Sequence, residues 1–353
     1  MAFLLTLRPN YDALTIPIRL IIKNKHFLMK IATELSCSAK NGLGITVLVP
    51  AFRSRFLPQL FDSLCSQTDP DFTVIVGDDA SPDPIAAICD AYTHRLNLRY
   101  VRFDKNMGGN DLAGQWNRCL ELCEDEWIIM PGDDDTFDIR CIAKLRESVK
   151  KTNGRFAAYH ATLRGIDENN VEQYVYPPSK HDNSADRLHA VLSPHYRGMV
   201  IEYLFSRTRI MAMGGFISFP IGWFSDTATW ILLANQGGTM AVPEAVANHR
   251  MSGFNLTSHN PKMARLKFLA TLQFWLWLKE NKNLINIPDR EWAEYEYSLA
   301  WRSRHELANL SWKEFFSEFF LNPGRIAELT GQHKWLECGR CLKLRTHNSF
   351  RWS

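Results

Sequence analysis

Residues 45–84 read ITVLVPAFRSRFLPQLFDSLCSQTDPDFTVIVGDDASPDP, and the apolar runs inside this stretch decide the fold. ITVLVPAF (45–52) is a short β-branched run that meets Pro50, as expected of a buried strand. FLPQLFDSLCSQT (56–68) places apolar residues at 57, 60, 61 and 64, which is one face of a helix. DFTVIVGDDASPDP (71–84) is a second strand, stopped by Gly, Asp, Ser and Pro. Further along, the pattern repeats. A helix, IAAICDAYTH (85–94), is followed by a strand, LRYVRF (98–103), and a turn, KNMGGN (105–110). A helix, DLAGQWNRCLELC (111–123), then leads to a strand, EWIIMPGDDD (126–135). Such alternation with short loops is the signature of an α/β fold on a parallel, doubly wound sheet. Ligands of these sheets bind at the carboxyl ends of the strands. Pro50–Arg53, Asp78–Asp83 and Asp133–Asp135 therefore share one expected crevice.

The rest of the chain bounds the reading. Its 353 residues fit two domains or one with an appendage, and 46% apolar with 22% charged residues excludes a disordered chain. Net charge is +3, but it is unevenly placed: +4 over residues 1–44, −6 over 45–259 and +5 over 260–353. An acidic centre between basic flanks argues against a nucleic-acid binder and for a site that welcomes a cation. Eight cysteines lie scattered, with one CxxC at Cys338 and Cys341 and no second ligand pair at zinc-finger spacing. They read as reduced thiols of a cytoplasmic protein. Residues 1–44 form an N-terminal extension that lacks the marks of a secretory signal, and no run of about 18 strongly apolar residues is present. Residues 155–259 are less regular: strand-like at 156–163 and 198–205, helical over about 225–236, and extended at 238–242. Seven of the eleven tryptophans follow residue 260, which makes 260–353 a helical, aromatic-rich subdomain.

Three carboxylate clusters carry the chemistry, and each has a plain alternative. GDDD (132–135) ends an apolar strand; it suits a hard cation held by one or two carboxylates plus phosphates, or a solvated turn that caps the next helix. GDDASPD (77–83) can accept hydrogen bonds from a nucleotide, or be turn chemistry alone. In FSDTATW (224–230), Asp226 precedes an apolar helix as an N-cap or as a general base aimed into the crevice.

Each cluster is weak by itself, but four segments in register are specific. ITVLVPAFRS, LFDSLCSQTDPDFTVIVGDDASPD, NMGGNDLAGQWNRCLELCEDEWIIMPGDDD and FSDTATWILLANQGG resemble, in order and spacing, the inverting family 2 glycosyltransferases of the GT-A fold, of the bacterial cell-surface polysaccharide type. The likeness runs over 45–259, about three-fifths of the chain, with a nucleotide-binding half (45–135) and an acceptor half (136–259). It implies a Rossmann-like, mostly parallel sheet flanked by helices. It also implies a nucleoside diphosphate sugar donor, UDP-linked, and Mn²⁺ or Mg²⁺ as cofactor. Pro50, Ala51 and Arg53 would pass beside the base, Asp79 would contact it, and Asp78 would support the loop. Asn106, Gly108 and Gly109 would line the nucleotide, Asp133 would lie near the ribose, and Asp134 would bind the metal. Asp226 would be the catalytic base, and His249 of NHRMSGFNLTS would reach the metal or diphosphate. The sequence departs from the family's pattern at Arg53, where Asn is usual, at Trp116-Asn117 in place of Arg-Asn, and at Ser225 in place of Glu.

Two other readings stay open. A sugar nucleotidyltransferase shares this sheet and metal chemistry, but it resembles proteins with a Gly-rich loop after strand 1, and VPAFRSRF has no glycine. A noncatalytic nucleotide-sugar-binding module fits if Asp226 points away from the crevice. The acceptor implied by the resemblance is a glycan or a lipid-linked sugar. LKFLATLQFWLWLKENK (266–282) joins apolar aromatics to Lys267, Lys279 and Lys282, so 262–353 is either a peripheral contact with the inner face of the membrane or the core of a helical subdomain.

Overall fold

β1 (Ile45–Ala51) pairs in parallel with β2 (Thr73–Asp78), which pairs with β3 (Leu98–Arg102); on its other side β1 pairs in parallel with β4 (Trp127–Ile129). The chain thus changes direction across the sheet at β1. A crevice opens at such a switch, beyond the carboxyl ends of β1 and β4. The structure is a computed structural model that describes residues 43–181, 183–192, 198–252 and 263–321. The N-terminal extension up to residue 42, Cys338, Cys341 and the end of the NHRMSGFNLTS segment lie outside the described residues.

Helices cover both faces of β1. Val47 and Val49 join the core formed with Leu57, Leu60 and Phe61 of α1 (Leu57–Cys65) and Ile85 of α2 (Ile85–Tyr92). Leu48 joins the opposite core with Cys119 and Leu120 of α3 (Leu112–Leu120). A strand buried on both faces reads as a continuous apolar run, which is why 45–52 shows no alternation. The glycine that opens GDDASPD serves the same packing: a Cβ on Gly77 would lie 2.4 Å from the Cys119 sulfur.

The second half contains β5 (Thr136–Phe137), α4 (Cys141–Lys151), β6 (Ala158–Ile166) and β7 (Glu172–Tyr176). It continues through α5 (Ser184–Leu192), β8 (Tyr203–Ser206), α6 (Arg207–Ala212), α7 (Ser225–Ala234) and β9 (Thr239–Arg250). The nine-stranded sheet runs β3-β2-β1-β4-β8-β6-β9-β5, with β7 beside β6. β8 is antiparallel to both β4 and β6, and β5 and β7 are antiparallel additions. The parallel pattern expected therefore holds throughout β1 to β4, and the sheet as a whole is mixed. β9 also runs eight residues past the extended stretch 238–242. Its register with β6 jumps from Ala161↔Val242 to Thr162↔Val246, because Pro243 has no N–H for the ladder and a bulge absorbs it. Beyond that bulge the strand carries His249 and Arg250 to the end of the sheet.

Four helices follow among the described residues: α8 (Ala264–Glu280), α9 (Lys282–Ile285), α10 (Asp289–Ala308) and α11 (Trp312–Leu321). Phe268, Phe274, Trp275 and Leu278 of α8 form a core with Phe219, Ala228 and Ile231. Lys267 is buried too, its ammonium 4.6 Å from the Trp223 ring centroid. The aromatics of 266–282 therefore point largely into protein. Trp312 and Phe316 of α11 are exposed instead. Among the described residues, no helix is long and apolar enough to cross a membrane.

Candidate active site

The loop after β2 is organised by two adjacent carboxylates. Asp78 is fully buried and accepts from Ser81 N (2.8 Å), Tyr100 Oη (2.5 Å) and Arg102 Nη1 (2.6 Å). It supports the loop from below and lets Ala80 adopt φ 52°. Asp79 accepts from Met107 N (2.7 Å), Gly108 N (2.8 Å) and Asn106 Nδ2 (2.8 Å), and it pairs with Arg118. A Cβ on Gly108 would lie 2.8 Å from an Asp79 carboxylate oxygen, so a larger residue there would push that carboxylate aside. Gly109 N donates to Asn106 Oδ1 at 3.2 Å and completes the turn. The resemblance implies that Asp79 meets a base directly, but in this structure its oxygens are taken up by the 106–108 segment. Arg118 carries no mark in the sequence pattern. It lies one residue past Trp116-Asn117, and its guanidinium lies 3.9 Å from the Phe103 ring centroid.

The loops after β1 and β4 are tied to each other. Asp133 Oδ2 accepts from Phe52 N and Arg53 N, both at 2.7 Å, so its carboxylate sets the path of Pro50–Arg53. Burial raises the Asp133 pKa against the lowering effect of these two N–H groups. Asp135 is buried; it accepts from Gly132 N (2.8 Å) through one oxygen and from His249 Nδ1 and Arg250 N (both 3.1 Å) through the other. Burial alone would lower the His249 pKa, but the hydrogen bond and charge of Asp135, with Asp134 beside it, leave it raised. Arg250 locks the corner. Its guanidinium donates to the Asp134 carbonyl (2.8 Å), the Asp167 carbonyl (2.8 Å), Asn170 (2.8 Å) and Gln59 (2.7 Å).

Asp134 differs from its neighbours. Its side chain accepts from Ser252 Oγ at 2.7 Å and borders a cavity of about 160 Å³ with Arg53, Arg55, Phe56, Asp83 and Asp133. Burial, and after it the charge of Asp135, pushes its pKa up to about 7. A carboxylate short of positive charge beside two arginines suits a diphosphate that brings a divalent cation with it. Among the described residues no group of three or more His, Cys, Asp or Glu side chains is arranged to hold a metal by itself. Asp134 is the carboxylate at this cavity that could hold a cation together with a bound phosphate. His249 is directed by its Nδ1 to Asp135, a tie hidden from the sequence by 114 intervening positions.

Asp226 enters from the other side. The chain before it is strained: Ile221, Gly222 and Phe224 have φ of 55°, 73° and 66°. A β-branched residue at positive φ is rare, and such strain clusters at functional sites. The Phe224 ring stacks on Phe274 at 4.6 Å, and Ser225 Oγ accepts from Phe219 N at 3.0 Å, which hold the turn in place. Phe224, not Asp226, is the N-cap of α7, so the plain capping alternative fails. The Asp226 side chain accepts from Thr227 N at 2.6 Å and keeps a partial opening to solvent. Burial raises its pKa to about 6; the Thr227 N–H and Arg187 oppose the rise and Glu202 adds to it. Glu202 is buried, and its charge raises the pKa of both Asp226 and His249.

Comparison with known proteins agrees with this architecture. Residues 46–205 match the model of "Glycosyl transferase family 2". Two curated relatives, the "Poly(ribitol-phosphate) beta-N-acetylglucosaminyltransferase TarS" of Staphylococcus aureus strains Mu50 / ATCC 700699 and MW2, are each 26% identical over 139 residues. That match covers 37% of this chain and 23% of each relative, so the chain spans about a quarter of their length. The crystal structure of S. aureus TarS 1–349 in complex with UDP-GlcNAc superposes with a TM-score of 0.51 at 15% identity, over 82% of this chain and 90% of that one. At that identity the superposition speaks for the fold, a curled mixed sheet of GT-A type. The family likeness thus lies in residues 46–205, somewhat less than half of the chain, on a fold shared with the TarS structure.

Proposed function

We propose that this chain transfers a sugar from a UDP-linked donor to a hydroxyl of a cell-surface glycan or lipid-linked acceptor, inverting the anomeric centre. The observation that carries the reading is Asp226, a carboxylate at a strained helix start whose pKa is raised to about 6. A general base works best when its pKa lies near the working pH, and a positioned one contributes about 10² to 10⁴-fold. Asp226 takes the proton of the acceptor hydroxyl as its oxygen attacks the anomeric carbon. The bond from that carbon to the diphosphate breaks on the opposite face, and the electron pair leaves with the nucleotide.

The remaining residues bind and orient. Pro50, Ala51 and Arg53 would flank the nucleotide on a loop held by Asp133, and Arg53 and Arg55, the latter paired with Glu168, line the cavity that would take its phosphates. Asp79 shapes the base-facing wall through Asn106, Gly108 and Gly109. Asp134 would anchor Mn²⁺ or Mg²⁺, which when bound supplies charge neutralisation to the leaving diphosphate. Support for the donor comes from the fold neighbour, whose crystal holds UDP-GlcNAc, and from the relatives' name as N-acetylglucosaminyltransferases. The five described cysteines are all free and four are buried, in keeping with a reducing cytoplasm.

The test is Asp226→Asn. Transfer from UDP-sugars in the presence of Mn²⁺ should fall at least about a hundredfold, with UDP affinity nearly unchanged. Near-normal transfer by that variant would sink the base assignment. Pyrophosphate-dependent formation of the sugar nucleotide would return the chain to the nucleotidyltransferases.

A further inference from the structure

The loop between α6 and α7 holds five residues at positive φ, Gly214, Gly215, Ile221, Gly222 and Phe224, the last of them two positions before Asp226. Strain of that kind persists where the surroundings over-determine the chain. The hydrogen bonds of residues 216–219 alternate between two helices. Phe216 pairs with the side chain of Asn117 on α3: its N–H donates to Oδ1 at 2.6 Å, and its carbonyl accepts from Nδ2 at 2.9 Å. Ser218 Oγ donates at 2.7 Å to Asp111 Oδ1, the oxygen that caps α3 by accepting from Gly114 N at 2.9 Å. The residues between them turn to α7. Ile217 N donates to Thr229 Oγ1 and Phe219 N to Ser225 Oγ, both at 3.0 Å. The loop lies close on α3: a Cβ on Gly215 would lie 2.4 Å from Asn117 Oδ1, and one on Gly222 3.0 Å from the Leu112 side chain.

We propose that Asn117 and Ser218 are positioning residues for Asp226, which hold its turn against α3 and so against the 106–109 turn at the start of that helix. The link between that turn and α3 is direct, since Asn110 N and Asp111 N both donate to the Met107 carbonyl, at 3.0 and 2.8 Å. The proposal rests on the glycosyl-transfer reading, in which the 106–109 turn lines the donor and Asp226 takes the acceptor proton. The two turns are not held alike. Asp79 ties the 106–109 turn through Asn106, Met107 and Gly108, whatever happens at Asn117. Without Asn117 and Ser218, the hydrogen bonds that tie 216–219 to the helices run to Thr229 and Ser225, on the very helix being placed. Loosening is therefore one-sided, and it should cost turnover while donor binding stays. A displacement of about 1 Å at a reacting group is enough to cost about 10²-fold in rate.

The full chain is compared with Asn117→Ala, Ser218→Ala and Asp226→Asn; Ser218 is exposed, so its variant keeps the fold. Carbon-13 NMR of labelled aspartate follows the Asp226 carboxylate, assigned by its loss in Asp226→Asn. Consumption of UDP-glucose, UDP-galactose and UDP-GlcNAc with Mn²⁺ gives kcat and KM, and calorimetry gives UDP affinity. As water gains access, both positioning variants should lower the Asp226 titration from about 6, by up to about one pH unit. Arg187 and Glu202, whose charges also act on Asp226, are unaltered in them. The kcat should fall about threefold in Ser218→Ala and about tenfold or more in Asn117→Ala, with KM and UDP affinity within about twofold of wild type. Added to Asp226→Asn, Asn117→Ala should cost no more than about a further twofold, because the group it acts through is already gone. An Asp226 titration that stays put in both variants overturns the proposal. So does a kcat loss matched by weaker UDP binding, or one repeated in full on the Asp226→Asn background. A wild type that consumes none of the three donors counts against the transferase reading, and the titration then decides the positioning by itself.

Discussion

Asp79 at the end of β2 accepts from Met107, Gly108 and Asn106 and faces Arg118, whereas Asp226 in the first turn of α7 accepts, among the described residues, from Thr227 alone. Both belong to the same crevice wall in sequence terms: an acidic residue at the end of a strand or the start of a helix. The difference is in what surrounds them. Donors saturate Asp79, so it is a structural tie that fixes where the 106–109 turn lies. Asp226 is half-buried with little compensation, so its proton affinity is high. The first half of the sheet spends the Asp79 carboxylate on geometry, and the second half leaves Asp226 with a raised pKa.

The largest break in this comparison is Asp79→Ala. It removes the acceptor for three hydrogen bonds and strands the guanidinium of Arg118, whose side chain is 19% exposed. A loss of about 3 kcal/mol is expected in urea unfolding. A loss below about 1 kcal/mol would make Asp79 an ordinary surface acid. Asp226→Asn should do the reverse. With its pKa raised from 3.8 to about 6, Asp226 costs the fold most when it is ionised. The unfolded chain gives up this proton near pH 4 and the native protein near pH 6, so wild type loses stability as pH rises between them. The variant should gain about 1 to 2 kcal/mol above pH 6, a gain that fades toward pH 4. Equal stability at all pH values would mean that Asp226 is solvated.

How much of this the sequence displayed follows from range. β1 to β4 and their helices are legible because period and turn chemistry are local. GDDD and GDDAS are legible as strand ends. What the residues do there is not, because their partners come from afar: Asp133 serves a loop about 80 positions away, and Asp135 serves His249 across 114. Proline as punctuation misleads as well. Pro243 marks a bulge in β9 and not its end, so the strand that delivers His249 and Arg250 is underread. Trp275 and Phe274 show the same limit, since an aromatic run with lysines reads alike whether it faces lipid or Phe219.

Within the nucleotide half, Asp134 is the member that breaks the pattern, with Ser252 as its side-chain donor. Asp134→Asn should remove the Mn²⁺-dependent part of UDP affinity, about tenfold, and leave the metal-independent part in place. An unchanged Mn²⁺ response would move the ion elsewhere. Asp133→Asn should instead weaken UDP binding with and without metal, through the loop at Phe52 and Arg53.

The smallest effect probes the other half, through the buried charges near Asp226. Glu202 raises the Asp226 pKa and Arg187 lowers it. Glu202 also accepts from Met199 N at 3.2 Å and lies 3.4 Å from His160 Nε2, contacts that glutamine can largely keep. Glu202→Gln therefore removes a charge with little change of shape. On the proposed mechanism transfer requires Asp226 to be ionised, so kcat/KM should climb with pH through a limb near 6 in the wild type. In Glu202→Gln that limb should slide to lower pH by less than about one unit, and in Arg187→Gln it should move up. Shifts of opposite sign from Glu202 and Arg187 identify the titrating group as one on which both charges act. A limb that stays put in both variants would assign the titration to another group, with Asp134 the first to examine.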